Sequence, residues 1–181
     1  ILAIASAIRY TVGNTAYGYH GYGDLFVFVF FGLVSTLGVN FLYSQQLDFE
    51  LCLPAIAIGF LSVGVLNLNN MRDEESDKKA GKNTIVVKVG GATAKKYHFF
   101  LVISAMVLMI TFAILNSFQI DQYIFLVAYF PLTSHLITVY RNKDPKLLDP
   151  ELKKLAISTF ILSILLSLCM IYFLSDIVVN S

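Results

Sequence analysis

Five stretches of this chain are long, apolar and uncharged: residues 25–43, 51–67, 99–115, 123–140 and 155–174 contain no Lys, Arg, Asp or Glu. A helix that crosses a bilayer needs about 20 mostly apolar residues, within a range of about 17–25. Strands of a membrane barrel would alternate over about ten residues, and these runs do not alternate. The expected fold is therefore all-α, a multi-pass transmembrane helical bundle. Composition agrees, with 57% hydrophobic and 14% charged residues against about 25% charged in a soluble domain. So few charges cannot cover a soluble globule of this apolarity, and a disordered or disulfide-rich secreted chain is excluded. Glycines at 32, 38, 59 and 64 suit close helix packing in lipid. Pro54 and Pro131 fall inside spans, where neighbouring helices can satisfy the carbonyls they free.

The chain opens with Ile1 inside a further apolar run, residues 1–8. No basic segment precedes it and no small-residue cleavage site follows, so it does not read as a signal peptide. It reads as the tail of a preceding helix, which makes five full spans plus that tail. Residues 1–181 are then expected to be the C-terminal part of a single, larger transmembrane domain.

The gaps between spans are electrically lopsided. Residues 9–24, 69–96 and 141–154 alternate with the turns at 44–50 and 116–122. The first set holds all 13 Lys and Arg; the second set and the tail from Ser175 hold none, and carry Asp48, Glu50, Asp121 and Asp176. Basic loops stay on the cytoplasmic side, so these three loops are expected there, in an integral membrane protein. The net charge of +1 suggests no nucleic-acid partner. Cys52 and Cys169 lie in apolar runs and read as small hydrophobes.

The gap at 69–96 crowds seven basic and four acidic residues together. It continues the second span, so its start should be helical. Asn69, Asp73 and Asp77 are then spaced i, i+4, i+8 on one face. A solvated, salt-bridged loop is one account of such a run. A second is a cation site. Carboxylates at i, i+4 repel unless a cation sits between them, and asparagines at 67, 69 and 70 are costly at a membrane boundary unless bonded. Gly81, Lys82, Asn83 and Thr84 follow as a turn bearing a cation and a hydroxyl. Mg²⁺ bridges carboxylates to phosphate oxygens, and Arg72, Lys78 and Lys82 can neutralise the remaining charge of a diphosphate. No GxxxxGK[ST] run is present, which excludes a P-loop. His20, His98 and His135 lack zinc-ligand spacing, and His135 reads as a helix–helix hydrogen bond. Residues 10–23 are rich in Gly and Tyr, and form either an interfacial aromatic belt or a loop that caps a cavity and stacks on an aromatic substrate.

The stretch Asn69-Asn70-Met71-Arg72-Asp73, then Asp77, Ala80-Gly81-Lys82-Asn83-Thr84 and Val87-Lys88-Val89-Gly90 resembles the second aspartate-rich motif of UbiA-type intramembrane prenyltransferases. Tyr10-Thr11-Val12-Gly13, Tyr17-Gly18-Tyr19-His20-Gly21-Tyr22-Gly23-Asp24 and Phe28-Val29-Phe30-Phe31-Gly32 resemble the branch that prenylates 1,4-dihydroxy-2-naphthoate. The resemblance implies about nine helices around a cavity, with two aspartate-rich motifs facing across it. Only the second occurs here, so the first motif and the early helices are expected to be absent from this chain. It implies Mg²⁺-dependent transfer of a polyprenyl group from polyprenyl diphosphate to 1,4-dihydroxy-2-naphthoate, with decarboxylation, giving demethylmenaquinone. The implied roles are metal and catalysis for Asp73 and Asp77, with Asn69 as a further metal ligand. Arg72, Lys82, Asn70 and Lys78 would bind diphosphate, and Tyr10, Tyr17 and Tyr19 the aromatic substrate. Asn14 stands where other branches carry lysine, so no lysine role is transferred. Another acceptor (4-hydroxybenzoate, haem or a chlorophyll precursor) is the alternative. A transporter is more remote, since the spans hold no ionisable residue beyond His135. A CDP-alcohol phosphotransferase would carry a DGxxAR-type run, which is absent.

Overall fold

The computed structural model describes residues 21–180, with side chains to residue 171. Five helices are long and apolar enough to cross a membrane, and no strand occurs among the described residues. Helix α1 spans Gly23–Ser44. Helix α2, Cys52–Arg72, follows one 3₁₀ turn. Two short helices, α3 (Glu74–Lys79) and α4 (Ile85–Val89), fill the charged gap. Then come α5 (Gly91–Leu115), α6 (Tyr129–Arg141) and α7 (Asp149–Asn180). A 3₁₀ stretch, Ile120–Ala128, leads into α6 and another, Pro145–Leu148, into α7. Pro54 and Pro131 lie inside the spans Phe49–Arg72 and Ile120–Arg141, as expected, each three residues into the α-helix that continues a 3₁₀ stretch.

Helix α2 is the centre of the bundle and packs against α1, α5 and α7. Lipid supplies no hydrophobic drive between helices, so close contact and buried polar bonds hold them together. Between α1 and α2 the backbones touch. A Cβ on Gly32 would lie 2.6 Å from the Gly59 Cα and 2.7 Å from the Ala55 carbonyl oxygen. Gly32 lies within a π-helical stretch, Phe28–Gly38, and Phe28 covers Gly59 and tilts against Phe60. The core runs through Leu61, Leu68 and Met71 of α2, Val102, Ala105 and Phe112 of α5, Leu132 of α6 and Leu162 of α7. Outward-facing Phe100, Val107, Ile114, Phe130 and Phe160 remain exposed, as lipid-facing side chains should.

A polar chain crosses this core. His98 of α5 and His135 of α6 are fully buried, with their Nε2 atoms 2.8 Å apart. His135 Nδ1 is 2.6 Å from Glu151 Oε2, and Glu151 Oε1 accepts from Lys154 Nζ at 2.6 Å. With the Glu151 carboxylate as acceptor, His135 donates from Nδ1 and accepts at Nε2 from His98. The expected helix–helix role of His135 is borne out, and three helices are joined rather than two.

The three basic gaps meet at one end of the bundle. A Cβ on Gly21 would lie 2.8 Å from the Asn83 carbonyl oxygen, Arg72 pairs with Asp149, and Lys95 Nζ donates to the Asn142 carbonyl. Helix boundaries nonetheless correct the expected loops. Lys95 and Lys96 lie on α5, and Glu151, Lys153 and Lys154 on α7. The helices run past the apolar core because charged residues are good helix formers outside lipid.

Candidate active site

The hydrogen-bond ladder of α2 continues past its last residue. Asp73 N–H donates to the Asn69 carbonyl at 3.0 Å, and Asp77 N–H to the Asp73 carbonyl at 2.8 Å. Asp73, at φ −98° and ψ 9°, ends α2 and begins α3. The row Asn69, Asp73, Asp77 is therefore kept through a bend, but its side chains have different partners.

Arg72 is the hub. Its Nε donates to Asp73 Oδ1 at 2.8 Å and its Nη2 to Asp73 Oδ2 at 2.8 Å. The same Nη2 donates to Asn69 Oδ1 at 2.7 Å, and Nη1 to Asp149 Oδ1 at 2.6 Å. The Arg72 guanidinium bonded to Asp73, with Lys82 nearby, holds the Asp73 carboxyl below the usual carboxylate range. Asp77 is 5% exposed and accepts from Lys82 Nζ at 2.8 Å. Gly81, at φ +73°, reverses the chain so that the Lys82 N–H also reaches the Asp77 carbonyl at 2.9 Å; only a residue free of a Cβ adopts that φ without strain.

Of the other sequence candidates, Lys78 is exposed, while Asn70 is buried and joins none of these bonds. The Thr84 hydroxyl caps α4, accepting from Val87 N–H at 3.2 Å, so it serves the fold. Tyr10, Tyr17 and Tyr19 lie outside the described residues. Gly21, the first described residue after them, abuts Asn83 and Lys88. Asp149 was not marked by the sequence. It lies 77 residues from Arg72, and no local spacing signals such a pair.

Beside the cluster, an open groove of about 460 Å³ runs between α1, α2 and α7. Val27 and Phe31 of α1, Val65 and Leu66 of α2, and Leu152 and Ala156 of α7 make it apolar; Ser62, Thr159 and Asn69 are its polar groups. Asn69 belongs to both cavity and cluster. A ligand with an apolar body and an anionic head fits this division.

Asn69 Oδ1 and Asp73 Oδ2 converge on one atom, Arg72 Nη2. Two hard oxygens aimed at a point held by a cation form a donor pair that suits Mg²⁺. Asp77 faces Lys82 instead. No group of three or more His, Cys, Asp or Glu able to hold a metal occurs among the described residues. An ion here would complete its shell from substrate and water, as Mg²⁺ does.

Comparison with known proteins decides the family. The model of the UbiA prenyltransferase family matches residues 1–165. The chain belongs to the UbiA prenyltransferase family. It is 42% identical over 168 residues to the 1,4-dihydroxy-2-naphthoate octaprenyltransferase of Haemophilus influenzae, covering 93% of this chain and 54% of that protein. It is 41% identical over 153 residues to the Escherichia coli protein of the same name, covering 84% and 50%. The Mycobacterium tuberculosis protein of that name is 41% identical over 97 residues, covering 54% and 33%. The chain thus spans about half the length of the Haemophilus influenzae and Escherichia coli relatives. No solved structure matches it significantly. The bundle of long apolar helices and the UbiA membership together make this an integral membrane protein.

Proposed function

We propose that the complete UbiA protein containing this chain transfers a polyprenyl group from polyprenyl diphosphate to 1,4-dihydroxy-2-naphthoate. The observation that carries this is the cluster of Asn69, Arg72 and Asp73 at the head of an apolar cavity. The names of the relatives supply the acceptor. In the complete enzyme a second aspartate-rich motif would face this one, and the three basic loops would lie in the cytoplasm, following their charge.

The allylic C–O bond breaks, and its electron pair leaves with the diphosphate. The ring carbon bearing the carboxylate forms the new C–C bond. Loss of CO₂ then restores the aromatic ring, giving a prenylated naphthohydroquinone, the reduced form of demethylmenaquinone. Mg²⁺, when held by Asn69 and Asp73 with Asp77 nearby, supplies neutralisation of the leaving diphosphate. Arg72 can turn its planar fork from carboxylate to phosphate, two acceptors of matching geometry. Lys82 adds a point charge beside it. Within the bilayer, the apolar walls from α1, α2 and α7 would give the allylic cation the water-poor surroundings it needs to escape hydrolysis.

The test is prenyl transfer by the complete protein in membranes, with one polyprenyl diphosphate and a panel of 1,4-dihydroxy-2-naphthoate, 4-hydroxybenzoate and haem. Turnover is expected with the naphthoate and in the presence of Mg²⁺. Asp73→Asn or Asp77→Asn should lower kcat by about 10²–10³-fold, the scale for losing charge stabilisation in a transition state. Wild-type turnover in either variant, or preference for another acceptor, would overturn the assignment.

A further inference from the structure

A second cleft, of about 620 Å³, opens on the flank of the bundle where α5 begins and α6 ends. Its lining comes from Gly91, Ala92, Lys95, Lys96, Phe99, Tyr140, Lys143 and Pro145, so α1, α2 and α7, which wall the active-site cavity, contribute nothing to it. Three lysines ring it. Lys95 is tied to the Asn142 carbonyl. Lys96 and Lys143 are exposed and form none of the ion pairs found among the described residues. Of the nearby carboxylates, Glu74 lies against Gly91 in a small neighbouring pocket that shares Gly91, Lys95, Lys143 and Pro145 with the cleft, on the side away from Lys96, and Asp144 accepts from Lys146 N–H at 3.0 Å.

The depth of the cleft identifies its ligand. Phe99 and Tyr140 meet edge-on, with ring centroids 6.0 Å apart, one turn inside the lysines on α5 and at the last turn of α6. Aromatic rings favour the headgroup level of a bilayer. Beyond them the exposed face of α5 is apolar, with Phe100, Ile103 and Val107, and α6 adds Ile137 among the exposed hydroxyls of Thr133, Ser134 and Thr138. Cations, then aromatics, then an open apolar face repeat the order of phosphate, glycerol and acyl chain. A soluble anion would use only the first of these layers. Basic pockets between membrane helices on one side of a bilayer hold anionic headgroups by this means.

We propose that the cleft between α5 and α6 binds an anionic phospholipid, its phosphate between Lys96 and Lys143 and its acyl chains along α5. This site rests on the membrane assignment and not on the prenyl-transfer reading, because it is assayed by binding and not by turnover.

The test is native mass spectrometry of the full chain in detergent with dioleoyl-phosphatidylglycerol, dioleoyl-phosphatidylcholine or inorganic phosphate. Phosphatidylglycerol should be retained about five-fold over phosphatidylcholine, an electrostatic preference. The double variant Lys96→Gln, Lys143→Gln should lose that preference, whereas Lys153→Gln, an exposed lysine on α7, should keep it. Lys143→Glu alone, in the loop after α6, should lower phosphatidylglycerol retention while a matched thermal melt shows the fold intact. Equal retention of the two lipids, or an unchanged preference in the double variant, would overturn the proposal. So would inorganic phosphate displacing the lipid at equal concentration, which would mark a free-anion site.

Discussion

Asp149 and Glu151 stand two residues apart at the start of α7, yet they close two different kinds of polar cluster. The Asp149 side chain is 68% exposed and meets Arg72, which also holds Asp73 and Asn69. Glu151 is 4% exposed and lies between His135 and Lys154. In the first cluster each partner can be replaced by water or by an incoming phosphate, since solvent reaches it. In the second, removal of one group leaves another buried without a partner. Exposure therefore separates polar groups that can exchange ligands from polar groups that hold helices.

The sharpest way to break this contrast is Glu151→Ala. It should cost about 3 kcal/mol, since breaking a buried pair strands its partner, and thermal unfolding in detergent would show it. A melt unchanged from wild type would mean that the buried chain carries no structural weight. A purely steric change gives the scale for comparison. Gly32→Val must separate α1 from α2, and overpacking of this kind costs about 1–3 kcal/mol, read from the same melt. Asp149→Asn should change stability by less than about 1 kcal/mol, as exposed pairs do. A large loss there would move Asp149 into the structural class.

The smallest effect concerns pH. The carboxyl of Asp73 is held below its ordinary value in the fold by Arg72. Its contribution is therefore complete above the unfolded carboxylate pKa of about 4. It is lost as the pH falls from that value through the lower folded one, because over this interval the unfolded chain takes up the proton while the folded state does not. Asp73 is one-third exposed, so solvent screening keeps the effect small. The difference between melts of wild type and Asp73→Asn should be constant near neutrality and should shrink only in strong acid. A difference that closes already between pH 5 and 6 would show that Arg72 does not hold Asp73 ionised.

The spans were legible because membrane insertion is decided by composition along the chain: uninterrupted apolar length suffices. Both gaps that carry Lys95 and Glu151 were harder. Helices extend beyond the lipid, and charge marks the membrane boundary but not the end of the helix. At the site, Asn69, Asp73 and Asp77 could be placed by helical spacing, and Gly81 by its role in a turn. The link from Arg72 to Asp149 could not, nor could the burial of Asn70, because both depend on which face of α2 meets α7. Thr84 shows the reverse case. A hydroxyl beside a lysine looks like a phosphate ligand in sequence, and in space it caps a helix.

The sequence by itself determined the number of spans, the segregation of all basic residues into three gaps, and the row of polar residues that ends α2. Those features are local, and water, lipid and backbone geometry act on them segment by segment. Only the tertiary structure decided which polar groups share a cluster. It set Asn69 at the head of a cavity, gave Arg72 three acceptor residues, and sealed Glu151 against two helices while leaving Asp149 open. These outcomes follow from close packing between helices distant in sequence, with glycine contacts such as Gly32 on Gly59 setting how near the backbones can come.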